Sequence, residues 1–574
     1  MTELYIDGIP VVLPDNMDMK IKQQNPFFTK NGTFTFELTL SLVDPINAKL
    51  YKHINRLHAS HSFDGRRAYL VADNYVMLNG TESIQKNTDK TVSIQLLSGN
   101  SELNYFIGSE VLISELNLGT EGALTSTYLN TLLNKKYPEA GFAPVRVYVN
   151  GNVYNWYGNE TPSISVPYSF TNIAMQPYLV GLMEKTINAL NYTIISNDLL
   201  SDESACRLFL LNESKSNLYN QMLPGWTAKE FLEACEVFFN ITFDIDPFTR
   251  KVRIIQNKNQ STTFIEHIDN IFDTFERVFE KADKGTYDNV EYALPGDTWY
   301  QYQSVSDAIM EKANIIEFQT YSALETFLDT GGFPEIPESE ALKYYHTLTV
   351  FYVIQLDTYF IVELLQFPNV PTKWYYLRPI DRFDRFSSEA DDENRLQIEF
   401  YPAQIHHLFT TGGSTTYINA MPSRPEGMDE MTEDEMNDIT SYIENGIPNK
   451  DSSRINVCLA FYTGSLNGYE RSDYCLDIIN EFPLSFGQFN SDKLFTLRIN
   501  GANGMHERYY DDNRNYDLSK EHEIKFPFRK LLDVRSEFVI NNKRFACKEL
   551  EYRVTKNGIH PEVSGIFYPM KINS

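Results

Sequence analysis

Trp226-Thr227-Ala228-Lys229-Glu230-Phe231-Leu232-Glu233-Ala234-Cys235-Glu236-Val237-Phe238-Phe239, then Ile241-Thr242-Phe243-Asp244-Ile245, then Lys251-Val252-Arg253-Ile254-Ile255, is the stretch that decides the fold. Phe231, Ala234, Cys235 and Phe238 recur at helical spacing, which predicts one buried stripe. Thr227 and Glu230 form a capping box, each side chain satisfying a backbone N–H that the first turn would otherwise orphan. The two β-patterned runs flank Asp246-Pro247-Phe248-Thr249-Arg250, a turn opened by proline. A helix followed by a hairpin is an α+β module.

Working outward, Leu179, Met183, Ile187 and Leu190 give a second helical pattern, ending in the strand Tyr192-Thr193-Ile194-Ile195. Near the start, Thr33 to Leu40 alternates apolar and polar residues, as a half-buried strand does. Asp44 and Pro45 suit a helix start, with Ile46, Leu50 and Ile54 on one face. Strands are expected at Arg67–Val71 and Thr91–Leu97, with a turn at Asn79-Gly80 between them. These elements make a small sheet or barrel. From Glu115 to about Pro162 periodicity is lost, and the segment reads as an inserted arm. Strands return between 290 and 410, where Leu348 to Phe367 reads as two neighbours. Residues 421–445 hold eight carboxylates (Glu426, Asp429, Glu430, Glu433, Asp434, Glu435, Asp438, Glu444) against Arg424. The last third is short β segments, with Asn541-Asn542 as a hairpin turn.

The fold class that follows is α+β, mainly β, in several domains. The expected division is 1–114, an N-terminal β barrel-like domain; 115–165, the arm or loop; 166–290, the α+β module; 291–420, a β-rich domain; 421–450, an acidic loop or helix; and 451–574, a C-terminal β-rich domain. About four domains is also what 574 residues predict by length.

A formal charge of −27 repels phosphate backbones and anionic lipids, which argues against a nucleic-acid binder. Hydrophobic content of 42% with 14% aromatics is too apolar for a disordered acidic chain. Cys206, Cys235, Cys458, Cys475 and Cys547 are odd in number and show no CxxC, so neither a disulfide framework nor a zinc ribbon is indicated. Glu3 and Asp7 stand where a secretory signal needs basic and apolar residues, an expectation against export by that route. Gln355, Asp357 and Glu363 interrupt the longest apolar tract, which a bilayer would penalise.

Catalytic signatures are sparse. His53, His58 and His61 lack the four-residue spacing of a zinc protease helix, and His406-His407 are adjacent in a strand pattern. Asp511-Asp512-Asn513-Arg514-Asn515-Tyr516-Asp517 opens like a calcium loop, but Tyr516 and His522 stand where glycine and glutamate are needed. No nucleophile elbow, Walker loop or dinucleotide signature occurs, and Cys235 lies on an apolar helix face. Paired carboxylates of a glycosidase have no linear signature. No catalytic, cofactor-binding or metal-binding residue is therefore assigned, and no cofactor is expected. Tyr154, Trp156 and Tyr157, with Tyr148, are the candidates for a partner or glycan contact, or else for packing against a neighbouring subunit.

Phe34 to Leu42, Asp44-Pro45-Ile46-Asn47, His53 to Leu57, Gly65 to Ala68 and Leu96 to Tyr105 together resemble tail proteins of phages and prophages of gut Bacteroidota, over about the first 110 residues. Residues 176 to 256, with Pro224-Gly225-Trp226 before the capped helix, are similar to the phage tail hub family. That late-control-D-like family includes baseplate hubs of long-tailed phages and the spike base of type VI secretion. The resemblance implies two barrel-like β domains per subunit, the second being 291–420. It also implies a ring-shaped homotrimer that joins a tail tube protein to a tail spike or tip protein around the DNA exit channel. The arm and the acidic segment depart from better-known hubs and leave room for contacts with tail fibre proteins.

The resulting expectation is a structural virion protein of a bacteriophage, a tail hub or baseplate hub acting in DNA ejection. It would be assembled in the host bacterial cytoplasm and located in the virion tail, with DNA only in transit and no stable membrane binding. It is not expected to be an enzyme. The alternatives are a tail-tip glycan-degrading enzyme and a receptor-binding or fibre-anchoring tail protein.

Overall fold

The capped helix forms where its box places it. It runs Ala228–Phe239, with the Glu230 amide donating to Thr227 Oγ1 at 3.2 Å and the Thr227 amide to Glu230 Oε2 at 3.0 Å. Phe231, Ala234, Cys235 and Phe238 are all buried. Asn240, at φ 46°, ends the helix in the left-handed region and feeds the hairpin, in which Phe243 stands opposite Ile254. The structure, a computed structural model, describes residues 1–58, 65–107, 111–149, 152–155, 173–246, 249–259, 264–272, 275–278, 290–292, 304–305, 312–330, 335–345, 347, 349–356, 358–366, 373–382, 396–409, 415–421, 457–466, 469–473, 495–499, 503–510 and 516–570.

The largest sheet joins strands from both ends of the chain. Asp18–Gln24 pairs antiparallel with Lys543–Thr555, placing Ile21 opposite Tyr552, and pairs on its other side with Thr33–Thr35. From there hydrogen bonding continues through Thr91–Ser98, Tyr75–Asn87, Arg67–Ala72 and Thr2–Ile6. In the other direction Lys543–Thr555 pairs with Gly558–Pro569 and Glu537–Ile540. Among the described residues this sheet is an open path without closure into a barrel. One hydrophobic core underlies it, in which Ile21, Leu40, Ile94 and Leu70 meet Phe538, Tyr552 and Phe567.

A second, larger core gathers the Leu179–Ala189 and Ala228–Phe239 helices with strands from the middle of the chain. Thr349–Val353 and Thr358–Gln366 are antiparallel neighbours, as the apolar tract predicts, with Phe351 opposite Phe360. Within the span read as an arm, Val147–Val149 pairs with Asn152–Tyr154 and, in parallel, with Thr415–Met421. The architecture is thus mainly β with helices, in several sheets. No helix among the described residues is long and apolar enough to cross a membrane.

Three local expectations change. Asn79-Gly80 lies inside the Tyr75–Asn87 strand, and the turn falls at Asp73-Asn74, both left-handed at φ 49° and 66°. Gly80 is there for close approach, since a Cβ would sit 1.8 Å from the Leu97 carbonyl oxygen. The strand expected over Thr33–Leu40 is two, Thr33–Thr35 and Leu38–Ser41. Between them the Phe36 amide bonds to the Lys20 carbonyl, which leaves Phe36 45% exposed. The helix opened by Asp44 stops at Leu50, because Lys52 and His53 turn left-handed. Ile46 is 50% exposed while Leu50 is buried. Asn541-Asn542 adopts the left-handed turn that the sequence predicts.

Tyr552 tests the junction of the two chain ends. Its ring is fully buried and its hydroxyl accepts from the Leu532 amide at 3.2 Å. Tyr552→Ala is expected to lower unfolding free energy by about 3–5 kcal/mol. Tyr552→Phe, which keeps the packing, is expected to cost about 1 kcal/mol, both read by urea denaturation.

Candidate functional site

Ile241–Ile245 is the outer strand of a three-stranded sheet whose central member is Lys251–Gln256. An outer strand carries backbone groups without a ladder partner. Here one amide side chain takes the place of the missing strand. Asn100 Nδ2 donates to the Phe243 carbonyl at 2.5 Å, and its Oδ1 accepts from the Ile245 amide at 3.4 Å. Asn100 directly follows the Thr91–Ser98 strand of the large sheet, after Gly99 turns the chain at φ 61°. The hairpin is therefore docked onto the sheet through a side chain that imitates backbone.

Two buried carboxylates flank that contact. Glu102, 2% exposed, accepts from Arg67 at 2.9 Å, Arg250 at 2.5 Å and Thr81 Oγ1 at 2.9 Å. Arg67 belongs to the large sheet and Arg250 to the hairpin turn, so one carboxylate joins both bodies. Asp244, also 2% exposed, is paired with Arg253 at 2.5 Å and with Arg535 at 2.6 Å. Arg535 comes from the C-terminal part of the chain and also donates to the Ile245 carbonyl at 3.4 Å. A buried carboxylate is tolerated when its charge is matched, and two guanidinium groups are paired with each acid.

Above this seam opens a cleft of about 540 Å³, whose walls include Gln23, Asn79, Ile195, Asp246, Lys251 and Asp533. Its acids are committed to structure. Asp246 accepts from Thr249 Oγ1 at 2.6 Å, and Asp533 from the Arg535 amide at 2.9 Å. Asp244 has a guanidinium on each oxygen. The arrangement holds two bodies in register. Cys206, Cys235, Cys458 and Cys547 are buried. Burial pushes the Cys206 thiol up to about 11 and raises the Cys235 and Cys547 thiols well above their ordinary value, which keeps them protonated and unreactive.

Of the three aromatics singled out in the sequence, Tyr154 is wholly buried in the larger core, where burial raises its hydroxyl above the usual range. Asn155 fixes the chain just after it, donating to the Val145 and Ala174 carbonyls at 2.9 Å each. Trp156 and Tyr157 lie outside the described residues, as do most of the acidic segment and residues 511–515. Among the described residues no group of three or more His, Cys, Asp or Glu side chains could hold a metal ion. The seam itself escaped sequence reading. Its available signal was Asp244, an acid inside the otherwise apolar and hydroxylated run Ile241–Ile245.

No protein-family model matches the chain, and no curated protein matches it. Among solved structures, the chain superposes on the 43 kDa tail protein of prophage MuSo2 from Shewanella oneidensis with 7% identity and a TM-score of 0.31, covering 100% of this chain and 99% of that one. It superposes on the tail protein from Neisseria meningitidis MC58 with 5% identity and a TM-score of 0.31, covering 99% and 95% of the two chains.

Glu102→Ala is expected to destabilise the protein by about 3 kcal/mol, because two guanidinium groups lose their shared partner at the seam. Asn100→Ala should cost about 1–3 kcal/mol through the exposed strand edge, both read by chemical denaturation. Thiol titration of the native protein with a disulfide reagent is expected to show no more than one reactive cysteine in five before unfolding.

Proposed function

We propose that the protein is a structural component of a phage tail, a hub that adapts the tail tube to the tip or spike. The observation that carries this reading is the use made of the buried charges. The polar groups where the helix-hairpin module meets the sheet are spent on cross-links, as in a connector that must keep its domains in register. The module that resembles the hub family, residues 176–256, has the expected helix, box and hairpin. It is seated on the N-terminal sheet, whose sequence resembles tail proteins.

In this reading three copies form a ring around the DNA exit channel, contacting a tube protein above and a spike or tip protein below. Each subunit contributes two barrel-like domains. The ring assembles in the host cytoplasm and resides in the virion tail, with fibre proteins as further partners and without enzymatic duty. A chain charge of −27 would keep the passing DNA from adhering to the wall.

Electron microscopy of the intact particle tests the assignment. Density for three copies joining the tube to the tip is expected; copies on peripheral fibres, or a strongly basic lumen, would overturn it. A zymogram on host cell-wall material is expected to stay uncleared, and clearing would move the function to glycan degradation.

A further inference from the structure

One strand of the large sheet outruns its neighbour. Tyr75–Asn87 pairs on one side with Arg67–Ala72, from Tyr75 opposite Ala72 to Thr81 opposite Arg67. On the other side its ladder with Thr91–Ser98 starts only at Thr81, opposite Leu97. The shorter strand ends because Gly99 turns left-handed at φ 61° and leads into the Asn100–Ile107 helix. Ser98 closes the ladder, its hydroxyl donating to the Asn79 carbonyl at 2.5 Å. Tyr75 to Leu78 therefore has no strand on that side among the described residues. The register on the paired side also skips Met77, the extra residue of a bulge.

This open edge borders the cleft above the seam, where Val76, Met77, Leu78 and Asn79 all form part of the wall. Successive side chains of a strand point to opposite faces, so four consecutive residues on one cavity mark the strand's edge rather than a face. An edge carries backbone N–H and C=O groups without ladder partners, and these are a template for another strand. Native edges are commonly blunted by charge or proline, and Tyr75 to Leu78 has neither. The Tyr75 ring packs edge-on against Phe528, with centres 5.4 Å apart, which holds the start of this edge in place.

The other walls of the cleft narrow what would fit. Leu531, Leu532 and Val534 supply aliphatic surface, together with Ile195, which is 55% exposed. Among the described residues no aromatic ring lines the cleft, so it lacks the stacking platform that a nucleobase uses. A polyanion is disfavoured as well, because Asp244, Asp246 and Asp533 stand in the walls. Arg253 and Arg535 are held by Asp244. Lys251, by contrast, is exposed, and its ammonium has no carboxylate partner among the described residues. An open strand edge, an aliphatic wall and an unmatched ammonium in one cleft suit an extended peptide that carries a carboxylate.

We infer that the cleft is a docking slot for an extended, acidic segment of a partner protein, which adds to Tyr75–Leu78 as a strand along the line that Thr91–Ser98 gives up at Gly99. In that position the segment's backbone continues the ladder, its aliphatic side chains pack on Leu531 and Leu532, and its carboxylate meets Lys251. The overhang is about 13 Å long at the rise of a strand, so the recognised core is a stretch of about four residues. Main-chain bonds supply the affinity, while Lys251 and the aliphatic wall select the sequence. The slot follows from strand lengths and wall chemistry and does not depend on the tail assignment.

The test is selection of binders to the full chain from a library of random heptapeptides displayed on yeast, followed by hydrogen exchange with the selected peptides made synthetically. The peptides are expected to be enriched in Asp or Glu and in β-branched residues, and to slow amide exchange within Tyr75–Leu78 by at least about tenfold. N-methylation of alternate peptide amides should abolish binding in one phase and spare it in the other, as one-sided strand pairing requires. Lys251→Glu should weaken the acidic peptides by at least about tenfold with the thermal melt unchanged. No enrichment over selection on an unrelated protein would overturn the proposal, as would peptides that bind without slowing exchange in Tyr75–Leu78 or that tolerate N-methylation in both phases. Slow exchange of those amides in the isolated, dilute protein would show that the chain fills the slot itself, and protection that rises with protein concentration would give the slot to a second copy. Either result overturns the assignment to a partner.

Discussion

The two hydrophobic cores meet across buried carboxylates, and the placement of everything else follows from how those charges are neutralised. Glu102 and Asp244 are among the least exposed acids of the described residues, and each draws guanidinium groups from separate parts of the fold. An apolar seam of the same shape would hold as well or better, because desolvating an ion pair offsets much of its attraction. Charge-assisted bonds add direction. Arg535 reaches Asp244 and the Ile245 carbonyl together, and Asn100 meets two backbone groups of one strand, so the hairpin cannot slide along the sheet without breaking several bonds at once. The cleft above the seam follows from that fixed spacing.

Local features were legible in the sequence where the physics is local. The capping box of Thr227 and Glu230, the Asn541-Asn542 turn and the strand pair within Leu348–Phe367 depend on residues a few positions apart. Gly80 shows how the same signal misleads. Asn-Gly reads as a turn, yet the glycine is required by the Leu97 backbone opposite, and only the tertiary pairing reveals that. The joining of Asp18–Gln24 to Lys543–Thr555 has no linear signature, since any two amphipathic strands satisfy the same alternation. Asn100 and Glu102 fall within Leu96 to Tyr105, part of the stretch that resembles tail proteins, and their roles at the seam appear only when the hairpin arrives beside them.

The charge of −27 illustrates a different limit. A sum over the chain describes the field at a distance, where it repels other anions, but it averages away the stretch from Pro45 to Phe63 that has no acid at all. Beside that stretch Glu82 is buried, bonded to Tyr51 and paired with Arg66, and Lys52 and His53 take left-handed backbone. Its composition has a sign opposite to that of the chain carrying it.

The pairing of the chain's two ends sets a clock on synthesis. A ribosome moving at about 5–20 residues per second needs roughly half a minute to two minutes between making Ile21 and making its partner Tyr552. Through that interval the Asp18–Gln24 strand has one edge and half of its core without their final neighbours. Lys20 and Lys22, which end up paired with Glu551 and Glu549, then place charge on the waiting edge, where charged side chains discourage pairing with other chains. The residues that later bind the C-terminal strand thus serve first as its placeholders.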